Sequence, residues 1–371
     1  MRNPFKPTAG ATPPLLVGRG EQLAVFSEAI ENGPGDPNLL TLITGARGAG
    51  KTVMLTELGE VARLHGWVVI DETATPGFTD RIADEADVFA DELSEPKKPR
   101  LAGASIAHLG GLTFHDSPKT EPSWRRRLTR LLTATATHGT GVLITIDEVQ
   151  GASHEELRQL AADVQHLIRE DQAIALVLAG LPRVVEDVLL KGDSSVSTFL
   201  RRAERVRLRD VPVEAVAESL TTTFAQTGRQ ISSHELQRAA DATEGYPFMI
   251  QLVGYHLWRL ADDAGHISST AVDSGLDKAR VRLGSLVHEP ALADLSPVDR
   301  TFLVAMAQDD GPVAMKDVQT RMNRASSYTS VYRDRLLAAG VIRAPRQGFV
   351  EFELPYLRDY LRGHAASHLF E

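Results

Sequence analysis

Eight consecutive residues, Gly45-Ala46-Arg47-Gly48-Ala49-Gly50-Lys51-Thr52, fit the pattern G-x-x-x-x-G-K-[ST]. The residue types match a phosphate-binding task. Glycines let backbone N–H groups curl around an anion, and a helix opening at Lys51 directs its positive end at it. The Lys51 ammonium is expected to reach the β- and γ-phosphates, and the Thr52 hydroxyl to ligand Mg²⁺. With Val53 beside them, these residues form the candidate ATP site.

A second constellation completes the chemistry. Val142-Leu143-Ile144-Thr145-Ile146 is a continuous apolar run ending in Asp147-Glu148. Beside a phosphate loop, Asp147 is the natural second holder of Mg²⁺. Glu148 is then placed to orient or deprotonate the attacking water. Both assignments need the strand to end on the nucleotide side, as strands of a parallel sheet do.

The elements around these motifs follow that plan. Leu39 to Thr44 reads as a strand breaking at Gly45, and Lys51 to about His65 as the following helix. Trp67 to Ile70, Val142 to Ile146 and Ala173 to Leu178 read as further buried strands. Apolar strands alternating with helices predict a parallel sheet covered on both faces. Residues 72 to 121 interrupt the rhythm with a helix, Asp80 to Leu93, and a long Lys/Pro/Gly-rich excursion. From Val211 only helical patterns remain: Val213 to Thr227, Ser233 to Glu244, Pro247 to Ala264 and Ser269 to Val287. Beyond Ser296 come helices to about Gln308, over Met315 to Asn323 and over Ser326 to Ala339. A hairpin pairing Val341-Ile342-Arg343 with Phe349 to Leu354 follows. Three helices and a β-wing make a winged helix, with Ser326 to Ala339 as its groove-facing helix.

Composition narrows the classes. The 371 residues are 43% hydrophobic and 24% charged, as in soluble globular proteins, which excludes disordered and collagen-like chains. With no cysteine, thiolate catalysis, disulfides and cysteine-bound metals are excluded. The longest apolar run, Ala173 to Leu181, is too short to span a membrane. No signal-peptide core precedes it, so a cytoplasmic protein with a flexible leader over residues 1–14 is expected. The net charge of −9 disfavours general polyanion binding, but between Lys316 and Arg346 seven basic residues meet two acidic ones. His154-Glu155-Glu156 lacks the second histidine of a zinc-protease helix, and no Gly-x-Ser-x-Gly elbow occurs.

Together these residues resemble the AAA+ ATPases near the Orc1/Cdc6 initiators and the archaeal-type predicted ATPases. Leu15-Leu16-Val17-Gly18-Arg19 is similar to the hydrophobic-Gly-Arg element of that group. The resemblance implies that Gly18 and Arg19 lie near the adenine. Gly20 stands where an acidic residue is common, and Glu21 follows. Ser197 to Ala203 resembles the segment carrying an arginine finger, which makes Arg202 the first candidate and Arg201 the second. Gly245-Tyr246-Pro247-Phe248 looks like the lid segment, and also like the Gly-x-Pro of STAND signalling NTPases; Tyr246 and Pro247 are then expected near the adenine.

The resemblance implies an α/β P-loop core over 15–209, an all-helical lid over 210–290 and a winged-helix domain over 291–371. Two positions depart from the group. Strand four ends in Ala179-Gly180 without a polar sensor, and Phe248 takes the place of a lid arginine, which points to slow turnover. The implied function is a cytoplasmic ATPase coupling Mg-ATP to double-stranded DNA or to a protein partner, with ATP-dependent self-assembly. Ser327, Ser330, Arg333, Arg343 and Arg346 are the candidate DNA contacts, with Thr329 also outward and Val331, Leu336 and Leu337 toward the core. Two rival readings stay open: a STAND-like switch without DNA, and a transposition-helper type ATPase.

Overall fold

The structure is a computed structural model and describes residues 2–8, 10, 17–94, 123–182, 185 and 199–364. The Lys/Pro/Gly-rich excursion, the residues Leu15-Leu16 and Ser197-Thr198 lie outside the described residues.

Five parallel strands form the central sheet: β1 (Leu40–Thr44), β2 (Val68–Thr73), β3 (Val142–Asp147), β4 (Ile174–Gly180) and β5 (Glu204–Arg207). Their order is β2-β3-β4-β1-β5. Strand β4 thus separates β1 from β3, with Leu42 opposite Leu178 and Ile144 opposite Leu176. Alternate residues of each strand point to opposite faces. Leu42, Ile144, Leu176 and Leu178 pack under α3 (Phe78–Ser94), α4 (Trp124–Ala136) and α5 (His154–Arg169). Ile43, Leu143, Ala175 and Val177 face α1 (Gly20–Asn32) and α2 (Lys51–Leu64). Each such aliphatic side chain removed from water contributes roughly 1.5–3 kcal/mol. Two ion pairs lock α3 to α4: Arg127 meets Asp84 at 2.5 Å and Asp87 at 2.6 Å.

Strand β5 departs from expectation. It is not among the strands read from the sequence, and its Glu-Arg-Val-Arg has a single apolar residue, yet it pairs with β1 over Thr41 to Thr44. Edge strands are held by backbone hydrogen bonds, and charged side chains there also block unwanted pairing.

Four helices form the second layer: α6 (Val213–Gln226), α7 (Ser233–Asp241), α8 (Pro247–Leu260) and α9 (Ser269–Leu283), with a small β6–β7 ladder, Gln230–Ile231 on His266–Ile267. Pro247 opens α8, where its fixed φ and missing N–H cost nothing. The packed interior includes Phe224, Tyr246, Leu252 and Leu257. Residues 2–8, expected as a flexible leader, lie against this layer, with Phe5 in its interior. A π-turn, Gly284–His288, leads through α10 (Glu289–Ala293) to the C-terminal unit.

That unit holds α11 (Pro297–Met306), α12 (Met315–Met322), α13 (Ser326–Ala338) and α14 (Leu357–Gly363). Strands β8 (Val313–Ala314), β9 (Ile342–Arg343) and β10 (Phe349–Phe352) form an antiparallel sheet in the order β8-β10-β9, one strand more than the expected hairpin. The phase of α13 also differs from expectation. Thr329 and Leu336, seven residues apart, are buried, while Val331 is 57% exposed. Thr329 bonds backward to Ser326 O at 3.1 Å, so its methyl joins the core and Val331 turns to water.

Candidate functional site

A cavity of about 790 Å³ opens where the C-terminal ends of β1 and β3 meet the helical layer. The loop from β1 to α2 forms its floor. Gly48 and Gly50 have φ of 74° and 88°, a region glycine enters freely, so the loop can turn its N–H groups inward. Gly48 has a second constraint: a Cβ there would lie 2.0 Å from the Tyr246 hydroxyl. That hydroxyl donates to Arg47 O at 2.8 Å and fastens the loop to the helical layer. Burial pushes the Tyr246 phenol well above its ordinary pKa, so it stays a donor.

Lys51 is 5% exposed, and its Nζ donates to Ala46 O at 3.0 Å and Gly45 O at 3.2 Å. Burial pulls its pKa down, opposed by Glu148 and Asp147. Thr52 Oγ1 donates to Asp147 Oδ2 at 2.5 Å, so the two residues expected to share a metal touch across the sheet. Asp147 Oδ1 accepts from Glu148 N at 2.8 Å. Glu148 has φ 53°, a conformation costing a non-glycine residue roughly 1 kcal/mol or more. The strain turns its carboxylate into the cavity, where Gln150 Nε2 donates to Glu148 Oε2.

Gln150 also explains the absent sensor. A Cβ on Gly180 would lie 2.5 Å from Val149 Cγ2 and 3.1 Å from Gln150 Oε1, so no side chain fits at the end of β4. The polar group arrives from the neighbouring turn instead, with Gln150 Oε1 accepting from Leu181 N at 3.4 Å.

The structure sorts the sequence-predicted residues into three ranks. Arg19, Arg47, Gly48, Ala49, Gly50 and Lys51 line the cavity, as do Thr52, Val53, Glu148 and Pro247. Behind them stand Gly45, Ala46 and Asp147, which hold Lys51 and Thr52, together with Tyr246 and Gly18, the latter packed toward Val211. Arg19 donates to Arg209 O and lies in the field of Asp210. Arg202 is exposed just before β5 and does not line the cavity. The candidate DNA contacts are elsewhere, on α13 and the β9–β10 turn.

Two lining cations escaped the sequence reading, Lys6 and Arg282. Neither has an ion-pair partner among the described residues. Arg282 lies in the last turn of α9 and lines the cavity, as Phe248 does. No local spacing marks either residue, because only the tertiary packing brings them in. Among the described residues, five cations and one carboxylate line the cavity, a field suited to a polyanion. Among the described residues no cluster of three or more His, Asp or Glu can hold a metal, and no helix is long and apolar enough to cross a membrane.

Residues 15–185 match the family of AAA ATPase domains, and residues 285–361 match a domain of unknown function, DUF8462. None of the curated proteins is significantly similar in sequence. Among solved structures, a Walker-type ATPase of Pyrococcus abyssi aligns over 94% of this chain and 96% of its own, with TM-score 0.66 and 17% identity. The ORC2 protein of Aeropyrum pernix, solved with ADPNP and ADP, aligns over 98% of both chains with TM-score 0.61 and 13% identity. Cdc6p of Pyrobaculum aerophilum aligns over 98% and 97%, with TM-score 0.50 and 18% identity. With a phosphate loop, an Asp-Glu strand end and a five-stranded parallel sheet in place, residues 15–185 carry the match to AAA ATPase domains, and the chain shares its fold with these archaeal structures.

Proposed function

We propose that this chain binds ATP with Mg²⁺ in the cavity, hydrolyses it, and uses the nucleotide state to change how its C-terminal unit engages a partner. The observation that carries the reading is the convergence of Lys51, Thr52, Asp147 and Glu148 on one cationic cavity. Lys51 exchanges its two carbonyl acceptors for phosphate oxygens. The Thr52 hydroxyl and Asp147 carboxylate are two adjacent hard oxygens, which fits Mg²⁺, an ion that takes few protein ligands beside phosphates. When bound, the ion neutralises phosphate charge. Glu148 holds and accepts the proton of the attacking water, and Gln150 fixes its orientation. Arg282 supplies the lid charge. Arg202, exposed and away from the cavity, serves a nucleotide only at a subunit contact, with Arg201 beside it as the second candidate.

The C-terminal unit reads as a winged helix with α13 as its presenting helix and Ser327, Ser330, Arg333, Arg343 and Arg346 as the DNA-facing set. A second reading has its own support. Arg343 is paired with Glu351 at 2.8 Å and Arg333 with its neighbour Asp334 at 2.9 Å, while Tyr328 and Val331 are exposed on α13. Paired arginines beside apolar side chains favour a protein partner.

Calorimetry and turnover test the core of the proposal. Lys51→Ala is expected to weaken ATP binding by about 100-fold or more, and Glu148→Gln to keep binding while slowing hydrolysis by about 100-fold or more. An unchanged dissociation constant for Lys51→Ala refutes the site.

A further inference from the structure

The N-terminal segment is attached to the helical layer by a set of specific contacts. Phe5 is 3% exposed, with its ring 5.5 Å from that of Phe224. A Cβ on Gly254 of α8 would lie 2.3 Å from the Phe5 ring, so the helix carries glycine where the ring seats. Asn3 Nδ2 donates to Tyr255 O at 3.0 Å, and Asn3 Oδ1 accepts from Phe5 N at 3.1 Å. Lys6 N donates to Gln251 Oε1 at 3.1 Å. These contacts hold the stretch to about one turn of α8, Gln251 to Tyr255, with Phe224 of α6 against the Phe5 ring.

Past that anchor the chain runs along the cavity. Lys6, Pro7, Thr8 and Gly10 line it, and a Cβ on Gly10 would touch Thr52 Cγ2 at 3.9 Å. Lys6 joins Arg19, Arg47, Lys51 and Arg282 in lining a space where, among the described residues, Glu148 is the one acidic group. Because Phe5 is fixed, the backbone of Lys6 is already positioned, and less freedom is lost when its side chain engages a ligand.

We propose that the segment Asn3–Thr8 is a working wall of the nucleotide site: Lys6 contacts the phosphates of a bound nucleoside di- or triphosphate, and Phe5 in the Gly254 hollow holds it there. The proposal rests on the nucleotide-binding reading above. It assigns a binding residue outside every motif of the core, and it ties retention of nucleotide to the lid helix that seats Phe5. Release of nucleotide then requires this wall to lose its grip on the phosphates.

Stopped-flow release of fluorescently labelled ADP from the full chain tests it. Lys6→Gln is expected to speed release about five- to tenfold, with Lys6→Arg close to wild type, since the lost contact is a charged one at a solvent-accessible position. Gly254→Ala is expected to act in the same direction, because the added methyl expels the Phe5 ring while alanine suits the helix. Lys51→Ala reports on the site itself. Wild-type release from both Lys6→Gln and Gly254→Ala, with binding abolished by Lys51→Ala, overturns the wall and leaves the site standing. If the wild-type chain takes up no labelled ADP, or Lys51→Ala takes it up equally, the underlying site fails and the wall with it.

Discussion

Around the nucleotide cavity Lys6, Arg47 and Arg282 have no ion-pair partner among the described residues. In the C-terminal unit four arginines are engaged across elements: Arg321 with Asp309 at 2.7 Å, Arg335 with Asp299 at 3.0 Å, Arg343 with Glu351, and Arg362 with Asp310 at 2.9 Å. A count of charges along the sequence gives the C-terminal stretch its excess of five positive charges, seven basic residues against two acidic. The count omits acidic partners from other elements, such as Asp299 and Glu351. Tertiary pairing decides whether a cation is available to a ligand, and Lys6, Arg47 and Arg282 stay available at the cavity while much of the C-terminal charge is taken up.

Three measurements sharpen or break this contrast. The largest effect is expected from Arg282→Ala, which removes an uncommitted charge from the cavity; ATP affinity measured by calorimetry should fall about tenfold. Wild-type affinity would remove Arg282 from the site. A smaller effect is expected from replacing Arg333, Arg343 and Arg346 together by alanine. Because two of the three are internally paired, affinity for a DNA duplex should change less than about threefold. A salt slope reduced by about three units would instead show three phosphate contacts and break the contrast.

The smallest concerns stability. His288, in the turn joining the two regions, donates from Nε2 to Pro355 O at 2.9 Å, and burial pushes its pKa down to about 4. An unfolded chain with an ordinary histidine takes up a proton near pH 6.5 while the folded chain does not. The contribution of neutral His288 is therefore complete above about pH 6.5 and is lost as the pH falls toward 4. His288→Asn should flatten the acid side of the melting-temperature profile between those values; an unchanged slope would exclude this histidine as the cause.

Much of the core was legible because its signals are local. The glycines that bend the phosphate loop adjoin the lysine they position, and β3 carries Asp147 and Glu148 at its own end. The apolar runs of β1, β3 and β4 announced a buried parallel sheet, since such strands alternate little. Strand β5 was not legible, because an edge strand needs no apolar sequence. The phase of α13 was missed since Thr329 looks polar but satisfies its hydroxyl within the helix. Lys6, Arg282 and Gln150 required three-dimensional packing: a loop, a helix end and a turn far apart in the chain converge on one place. Residues 2–8 look like linker by composition, and Phe5 is the one residue whose type disagrees.

The π-turn at Gly284–His288 has a mechanical consequence. Leu286 and Val287 line the cavity, while His288, next in sequence, is bonded to Pro355 between β10 and α14. One wide helical turn thus reaches both the cavity and the C-terminal unit. Any ligand that fills the cavity meets the same five residues that hold His288 against Pro355, so the two sites share a short stretch of backbone that does not pass through the sheet.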